Sequence, residues 1–144
     1  MPAGCKSNGS CGTYGCNNLE VFDWLADVAM PQGYSPCNIA EVRFKGIRKG
    51  FFKNDTGELL QVGDVVAVEA SPGHDVGVVA SVGELVRLQM RKKGASENDR
   101  DIRKIYRKAH QEDVDKWREG RTKEDETMFR ARRIASALNL QMKI

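Results

Sequence analysis

The sequence has few of the residues that build catalytic sites and no segment that could cross a membrane. Its 144 residues include two histidines and four cysteines, and aromatic side chains make up only 7% of it. No apolar run approaches the roughly 18 residues of a membrane helix, and the amino terminus lacks the basic-then-apolar pattern of a signal peptide. These absences argue against membrane insertion and predict a cytoplasmic protein.

Catalytic motifs are also missing. His74 stands beside Asp75, a pair that could form part of a catalytic dyad. No nucleophile motif, glycine-rich phosphate loop or H-E-x-x-H sequence accompanies the pair, and the acidic residues of 112–126 form no recognisable metal loop. We therefore predict that the protein is not an enzyme, with a metal-dependent enzyme as the least favoured alternative.

What is present is a stretch of short apolar runs separated by turn residues, from residue 41 to 93. Asn, Asp, Gly and Pro punctuate segments rich in valine and phenylalanine, the pattern of a small antiparallel barrel. Val86, Leu88 and Met90 alternate with polar residues and predict a half-buried strand. Gly77 is predicted to mark a bulge or a close backbone approach. The predicted fold class is therefore α+β, with a small antiparallel SH3-like β-barrel.

The residues after the barrel have a helical pattern. Ile102, Ile105, Tyr106 and Ala109 predict one helix, and a second is predicted to start near His110, with a charged middle that is either solvated or broken. Asn139 suits the left-handed position after a helix end. We predict a helical arm over 94–139 and the start of a further strand at 140–144, which indicates a fragment of a longer protein.

The lead-in, residues 1–40, is rich in glycine and cysteine and is predicted to contain a short helix over LEVFDWLADVA. Val21, Trp24, Leu25 and Val28 form one apolar stripe, which either docks on the barrel or binds a partner. Thiolates are good ligands for zinc or an iron–sulfur cluster, although the spacing differs from paired C-x2-C sites. The candidate ligands are Cys5, Cys11 and Cys16, with Cys37 or a group outside the chain as the fourth; the alternative is a flexible thiol-bearing tail.

Basic residues cluster although the net charge is only +3. Lysine and arginine on a barrel face can neutralise phosphates, and two phenylalanine positions could stack bases. The alternative is a solvated surface balanced by the acidic residues of 112–126. The predicted nucleic-acid-binding residues are Arg43, Lys45, Arg48, Lys49, Arg87, Arg91, Lys92 and Lys93.

Several motifs occur in an order that resembles a known family. VRFKGIRKGFF, VGDVVAVEASPGHDVGVV, GELVRLQMRKK, IYRKAHQEDVDKW and LNLQMKI, over residues 41–144, are similar to the bacterial YaaT/RicT proteins, which share the PSP-one C-terminal conserved region. GCKSNGSCGTYGC followed by VFDWL resembles versions from Bacteroidetes-like bacteria.

The resemblance implies a non-enzymatic regulatory or adaptor subunit. In the family it joins RicA and RicF, and the complex carries iron–sulfur clusters and steers the endoribonuclease RNase Y in mRNA processing and developmental regulation. The family's cluster cysteines lie mostly beyond Ile144. The resemblance thus implies RicA/RicF-like and RNase Y-like partners, with RNA as a further partner. The alternative function is a direct RNA- or DNA-binding module that uses the basic barrel face.

Overall fold

The computed structural model of the chain describes residues 23–24, 28–29, 31–45 and 48–144. The described residues divide into two compact units, which we call the barrel unit, ending at Lys108, and the helical unit, Ala109–Ile144. The predicted amino-terminal helix lies mostly outside the described residues. Those residues contain five strands and three helices: β1 (Ile39–Arg43), β2 (Lys49–Asn54), β3 (Val65–Glu69), β4 (His74–Ser81), α1 (Glu84–Lys92), β5 (Arg103–Lys108), α2 (Gln111–Thr122) and α3 (Glu124–Ala137).

The five strands close into a barrel in the order β1-β2-β5-β3-β4. Four of the neighbouring pairs are antiparallel, and β2 and β5 run parallel. The predicted small barrel in an α+β chain is therefore confirmed, whereas the prediction of a wholly antiparallel barrel is wrong at this one pair. The SH3-like subtype stays a prediction.

Strand β1 is buried on both faces, because one face lines the barrel and the other lies under a helix. Ala40 and Val42 belong to the barrel core, together with Phe52, Leu60, Val66, Val68, Val79 and Ile105. On the opposite face Ile39 packs against Val86 and Met90 of α1, in a second apolar cluster. Burial of these side chains is the main favourable term in the stability of a domain of this size.

The strand predicted from the alternation of Val86, Leu88 and Met90 is wrong, because these residues lie in α1. The buried residues of this helix are Leu85, Val86 and Met90, and Leu88 is 42% exposed. The helix ends at Gly94, whose φ of +70° suits glycine, and hydrogen bonds from Gly94 N to Arg91 O and from Ala95 N to Met90 O complete a Schellman motif.

The helix predicted over Ile102–Ala109 is also wrong. Residues 103–108 form β5, which fills the gap between β2 and β3. Only Ile105 of this strand is buried, because it points into the barrel core, and Tyr106 is exposed. The barrel unit therefore continues fifteen residues past Lys93, since it ends at Lys108.

The helical unit begins with Asp113 as a cap, since its Oδ2 accepts a hydrogen bond from the His110 backbone N–H at 3.0 Å. Helices α2 and α3 meet at Lys123, so the charged segment contains a break. Asn139 has a φ of +52°, as predicted. The strand predicted at 140–144 is wrong: these residues have no regular secondary structure, and no neighbouring strand in the described part of the chain pairs with them.

Gly77 of β4 lies where β1 approaches most closely. A Cβ built on it would stand 2.4 Å from Val42 Cγ1 and 3.0 Å from the Arg43 carbonyl oxygen. The register between β1 and β4 also shifts at Glu41 and Val42. The predicted close backbone approach is thus confirmed.

None of the helices in the described ranges has both the length and the apolar character needed to span a bilayer.

Candidate functional site

The structure divides the eight predicted nucleic-acid-binding residues into two groups. Four of them pair with carboxylates of the barrel unit, as described below, and their charge is already partly neutralised. Arg43 and Lys45 lie at and just after the end of β1, and both make contacts within the chain. Arg91 and Lys92, in the last turn of α1, are exposed. The structure therefore does not gather all eight residues into one free basic surface.

Two of the paired residues converge on Glu41, a buried carboxylate of β1. Its side chain is 2% exposed, and Lys93 Nζ lies 2.8 Å from Oε1 while Lys49 Nζ lies 3.7 Å from Oε2. Ser81 Oγ donates a hydrogen bond to Oε2 at 3.4 Å. A buried charge requires such partners, and here they tie α1, β2 and β4 to β1. We call this set the Glu41 cluster: Glu41, Lys49, Ser81 and Lys93.

A third paired residue, Arg87, joins α1 to the chain before the barrel. It contacts the Glu84 and Glu97 carboxylates and the Tyr34 hydroxyl, and it donates a hydrogen bond to the Ser35 carbonyl at 3.0 Å. The hydrogen bond to Glu97 is the main reason that the pKa of Arg87 is raised, while desolvation opposes the rise and Glu84 and Tyr34 reinforce it. The guanidinium is thus used for internal contacts.

The neighbouring groups respond to the same network. Burial alone would raise the pKa of the Glu84 carboxyl, but hydrogen bonds from Tyr34 and Arg87 outweigh it and hold that pKa below the usual range. The hydrogen bond from the Tyr34 hydroxyl to Glu84 raises the pKa of Tyr34. These shifts favour one charge state for each group: Arg87 positive, Glu84 negative and Tyr34 neutral.

We predict that Arg87→Met will lower the free energy of unfolding by about 2 kcal/mol, because it removes several charge-assisted hydrogen bonds to partly buried groups. Arg91→Met, on the same helix, is the matched control and should change stability by less than about 0.5 kcal/mol, since Arg91 is exposed. Urea denaturation followed by circular dichroism measures both. Equal effects of the two substitutions would contradict a tie through Arg87.

The fourth paired residue, Arg48, contacts Asp75, and its guanidinium carbon lies 4.0 Å from the centroid of the Phe44 ring. Asp75 Oδ1 also accepts a hydrogen bond from the Val76 backbone N–H at 2.8 Å. The predicted His74–Asp75 dyad therefore has its carboxylate engaged by other groups, although His74 itself makes a contact within the chain. This arrangement suits a surface ion pair better than a proton relay.

Arg91 helps to line an open pocket of about 470 Å³ beside the end of α1. Its other lining residues are Arg87, Met90, Ala95, Ser96, Glu97 and Asn98. Glu97 places a negative charge on the wall and pairs with Arg87. The pocket is polar but has little net positive charge, so it offers a weak site for an anion.

The phenylalanines are not available for stacking bases. Phe52 is 6% exposed and lies in the barrel core, and Phe51 packs in the cluster under α1, with Lys93 Nζ 4.9 Å from its ring centroid. The prediction that two phenylalanine positions could stack on bases is therefore wrong for this adjacent pair.

Of the predicted metal ligands, Cys5, Cys11 and Cys16 lie outside the described residues, and Cys37 lies within them. Cys37 packs with the apolar cluster under α1, and its Sγ is 3.9 Å from the Ile39 carbonyl oxygen. Burial raises the pKa of the Cys37 thiol, which disfavours the thiolate that binds metals. Across the described part of the chain, no three His, Cys, Asp or Glu side chains are placed to hold a metal ion.

A basic feature on β5 was missed in the choice of binding residues. Lys104 of β5 is in register with Lys53 of β2, and their ammonium groups lie 3.4 Å and 3.3 Å from the two oxygens of Asp55. Burial opposes the effect, but hydrogen bonds from both lysines lower the pKa of Asp55. The sequence RKIYRK, in which an apolar residue is surrounded by cations, is the signal that could have identified this strand as a basic surface.

The helical unit exposes large apolar side chains. Phe129, Ile134 and Leu138 of α3 and its end are each more than half exposed, and so are Leu140 and Met142 of the following segment. The segment folds back along the helix, since Leu140 N donates to Ala135 O and Arg132 Nε donates to the Ile144 carbonyl, each at less than 3 Å. Four cations and no carboxylate side chain lie between Phe129 and Ile144: Arg130, Arg132, Arg133 and Lys143.

Comparisons with curated proteins and with solved structures gave no match. A comparison with protein families matches residues 103–144, which run from β5 through the helical unit, to the PSP1 C-terminal conserved region. This supports the predicted resemblance at the level of that region, and the YaaT/RicT subgroup stays a prediction. Over residues 103–144 the chain is therefore similar to the PSP1 C-terminal conserved region.

Proposed function

We propose that the protein is a non-enzymatic adaptor that binds a protein partner through the exposed apolar side chains of the helical unit. The observation that supports this proposal is the position of these side chains. Phe129, Ile134, Leu138, Leu140 and Met142 all lie in the segment that matches the PSP1 C-terminal conserved region. Exposed apolar groups that lie close together are typical of surfaces that bind another protein.

The charges around these side chains indicate the chemistry of the partner. Arg130, Arg132, Arg133 and Lys143 accompany the apolar residues, and the segment has no acidic side chain. The complementary partner is a protein surface with apolar anchors and a surplus of Asp and Glu, such as an acidic amphipathic helix. In the finer form of the proposal, the partners are RicA/RicF-like proteins and an RNase Y-like nuclease, and the complex regulates mRNA processing.

Affinity purification of the full-length protein, with quantification of co-eluting proteins, tests the proposal. Leu138→Glu should lower recovery of a stoichiometric partner by about ten-fold or more, since a charge in the centre of an interface removes a hot-spot contact. Leu59→Glu is the matched control, because Leu59 is 89% exposed and belongs to the barrel unit. Its partner recovery should equal that of the wild type.

Unchanged recovery with Leu138→Glu would contradict the proposal. A second contrary result is a fall in the free energy of unfolding without loss of partner. That result would mean that residues of the same protein cover these side chains.

A further inference from the structure

Strand β5 contains a β-bulge at Tyr106. In the ladder with β3, Ile105 is paired with Val68 and Arg107 with Ala67, so Tyr106 has no opposite residue on β3. On the other side, the register with β2 extends only to the pair of Ile105 and Asn54. A bulge frees one residue from the ladder and changes the direction of its side chain. Here that residue is an aromatic one, and it is 53% exposed.

A single exposed aromatic side chain is ordinary on a protein surface, so its neighbours decide its meaning. Two residues before Tyr106 is Lys104, which is beside Lys53 in the register between β5 and β2. Both lysines share one carboxylate, Asp55, at distances above 3.2 Å. One negative charge between two ammonium groups leaves a positive charge, and exposed pairs with this geometry are weak enough for a phosphate to compete.

These features fit one class of ligand. A single-stranded nucleic acid offers unstacked base faces, which stack on aromatic rings, and phosphates, which pair with lysine. A duplex keeps its base faces stacked, and an acidic peptide would use the lysines without needing the face of the ring. We propose that Lys53, Lys104 and Tyr106, which we call the β5 strip, bind single-stranded nucleic acid, with a base stacked on Tyr106 and phosphates beside the two lysines.

The β5 strip contains none of the eight basic residues predicted from the sequence. It also lies within the barrel unit, whereas the proposed partner surface belongs to the helical unit. The strip and the adaptor surface can therefore fail independently. Leu138→Glu tests the adaptor surface, and substitutions in β2 and β5 test the strip.

Fluorescence anisotropy of the full-length protein with a labelled oligouridine of about 12 nucleotides tests the stacking contact. Tyr106→Ala should weaken binding about ten-fold, which is the usual effect of losing one stacked base. Tyr106→Phe is the matched control, because it keeps the ring and loses only the hydroxyl, and its affinity should match that of the wild type. The same assay with oligothymidine distinguishes RNA from DNA, and inorganic polyphosphate supplies charge without bases.

A salt titration tests the phosphate contacts. Lys53→Gln combined with Lys104→Gln should reduce the slope of log affinity against log salt by about 1.4, as expected for two phosphates on a single strand. Arg91→Gln combined with Lys92→Gln removes the same charge from α1 and should leave the slope unchanged.

Any one of several results would overturn the proposal: no binding of oligouridine at low salt, equal affinity of Tyr106→Ala and the wild type, or polyphosphate binding as tightly as RNA. Loss of a co-purified protein in Tyr106→Ala with unchanged RNA affinity would assign the strip to a protein partner instead. Circular dichroism of each variant separates loss of binding from loss of fold.

Discussion

Glu41→Ala is expected to lower the free energy of unfolding of the barrel unit by about 3 to 5 kcal/mol, the usual effect of removing one member of a buried ion pair. Glu41 is 2% exposed at its side chain and holds both Lys49 and Lys93. Lys93 can turn towards solvent when the carboxylate is lost, since its side chain is 45% exposed. Lys49 is only 12% exposed, so its ammonium group would remain close to apolar surroundings without a counter-charge.

Urea denaturation of the full chain measures this effect. Glu58→Ala is the matched control, because it makes the same change of charge at an exposed position in the loop before β3, and it should shift stability by less than about 0.5 kcal/mol. If Glu41→Ala were as stable as the control, the Glu41 cluster would not hold α1 and the strands together. Its role in the fold would then have to be abandoned.

Gly77→Ala is expected to destabilise the barrel unit by about 3 kcal/mol, at the upper end of what overpacking a core costs. The added Cβ would lie 2.4 Å from Val42 Cγ1 and 2.8 Å from Phe44 Cε1. Val42 can move only at the expense of core packing, since it is completely buried. The Arg43 carbonyl oxygen, 3.0 Å away, is backbone and resists movement as well.

The same substitution elsewhere in the chain provides the control. Gly120 lies within α2 with no atom within 4 Å of a built Cβ, so Gly120→Ala should stabilise the helical unit by up to about 1 kcal/mol. Thermal unfolding of both variants, compared with the wild type, gives the two signs. A Gly77→Ala protein that unfolds at the wild-type temperature would show that β1 and β4 can separate without cost.

The barrel was predictable where short patterns reflect burial. The valines of β3 and the turn residues around them predict a strand and its ends, and Gly77 correctly predicts the close approach of β1. The patterns failed at α1 and β5. Val86, Leu88 and Met90 alternate, but Val86 and Met90 also lie on one helical face, and five residues are too few to separate the two periods. In β5, Ile105 and Tyr106 imitate a helical stripe because the bulge places one inward and the other outward.

The site was less predictable than the fold because its ion pairs join residues that are distant in the sequence. Lys93 reaches Glu41 across 52 positions, and Tyr34 reaches Glu84 across 50. No local pattern shows that Arg87 or Lys93 is already paired, so every cation in a basic segment looks equally free. Charge counts therefore located the basic part of the chain correctly but could not identify which side chains remain available for a ligand.

The place of β5 in the barrel also determines when the barrel can form. β5 is the last strand to be synthesised, yet it lies between β2 and β3. Before residue 103 leaves the ribosome, the other four strands can form only an open sheet, in the order β2-β1-β4-β3, with β2 and β3 as free edges that can pair with other chains. The first six residues of the PSP1-like segment protect both edges at once. That segment and the barrel therefore complete their folding in one step, late in synthesis.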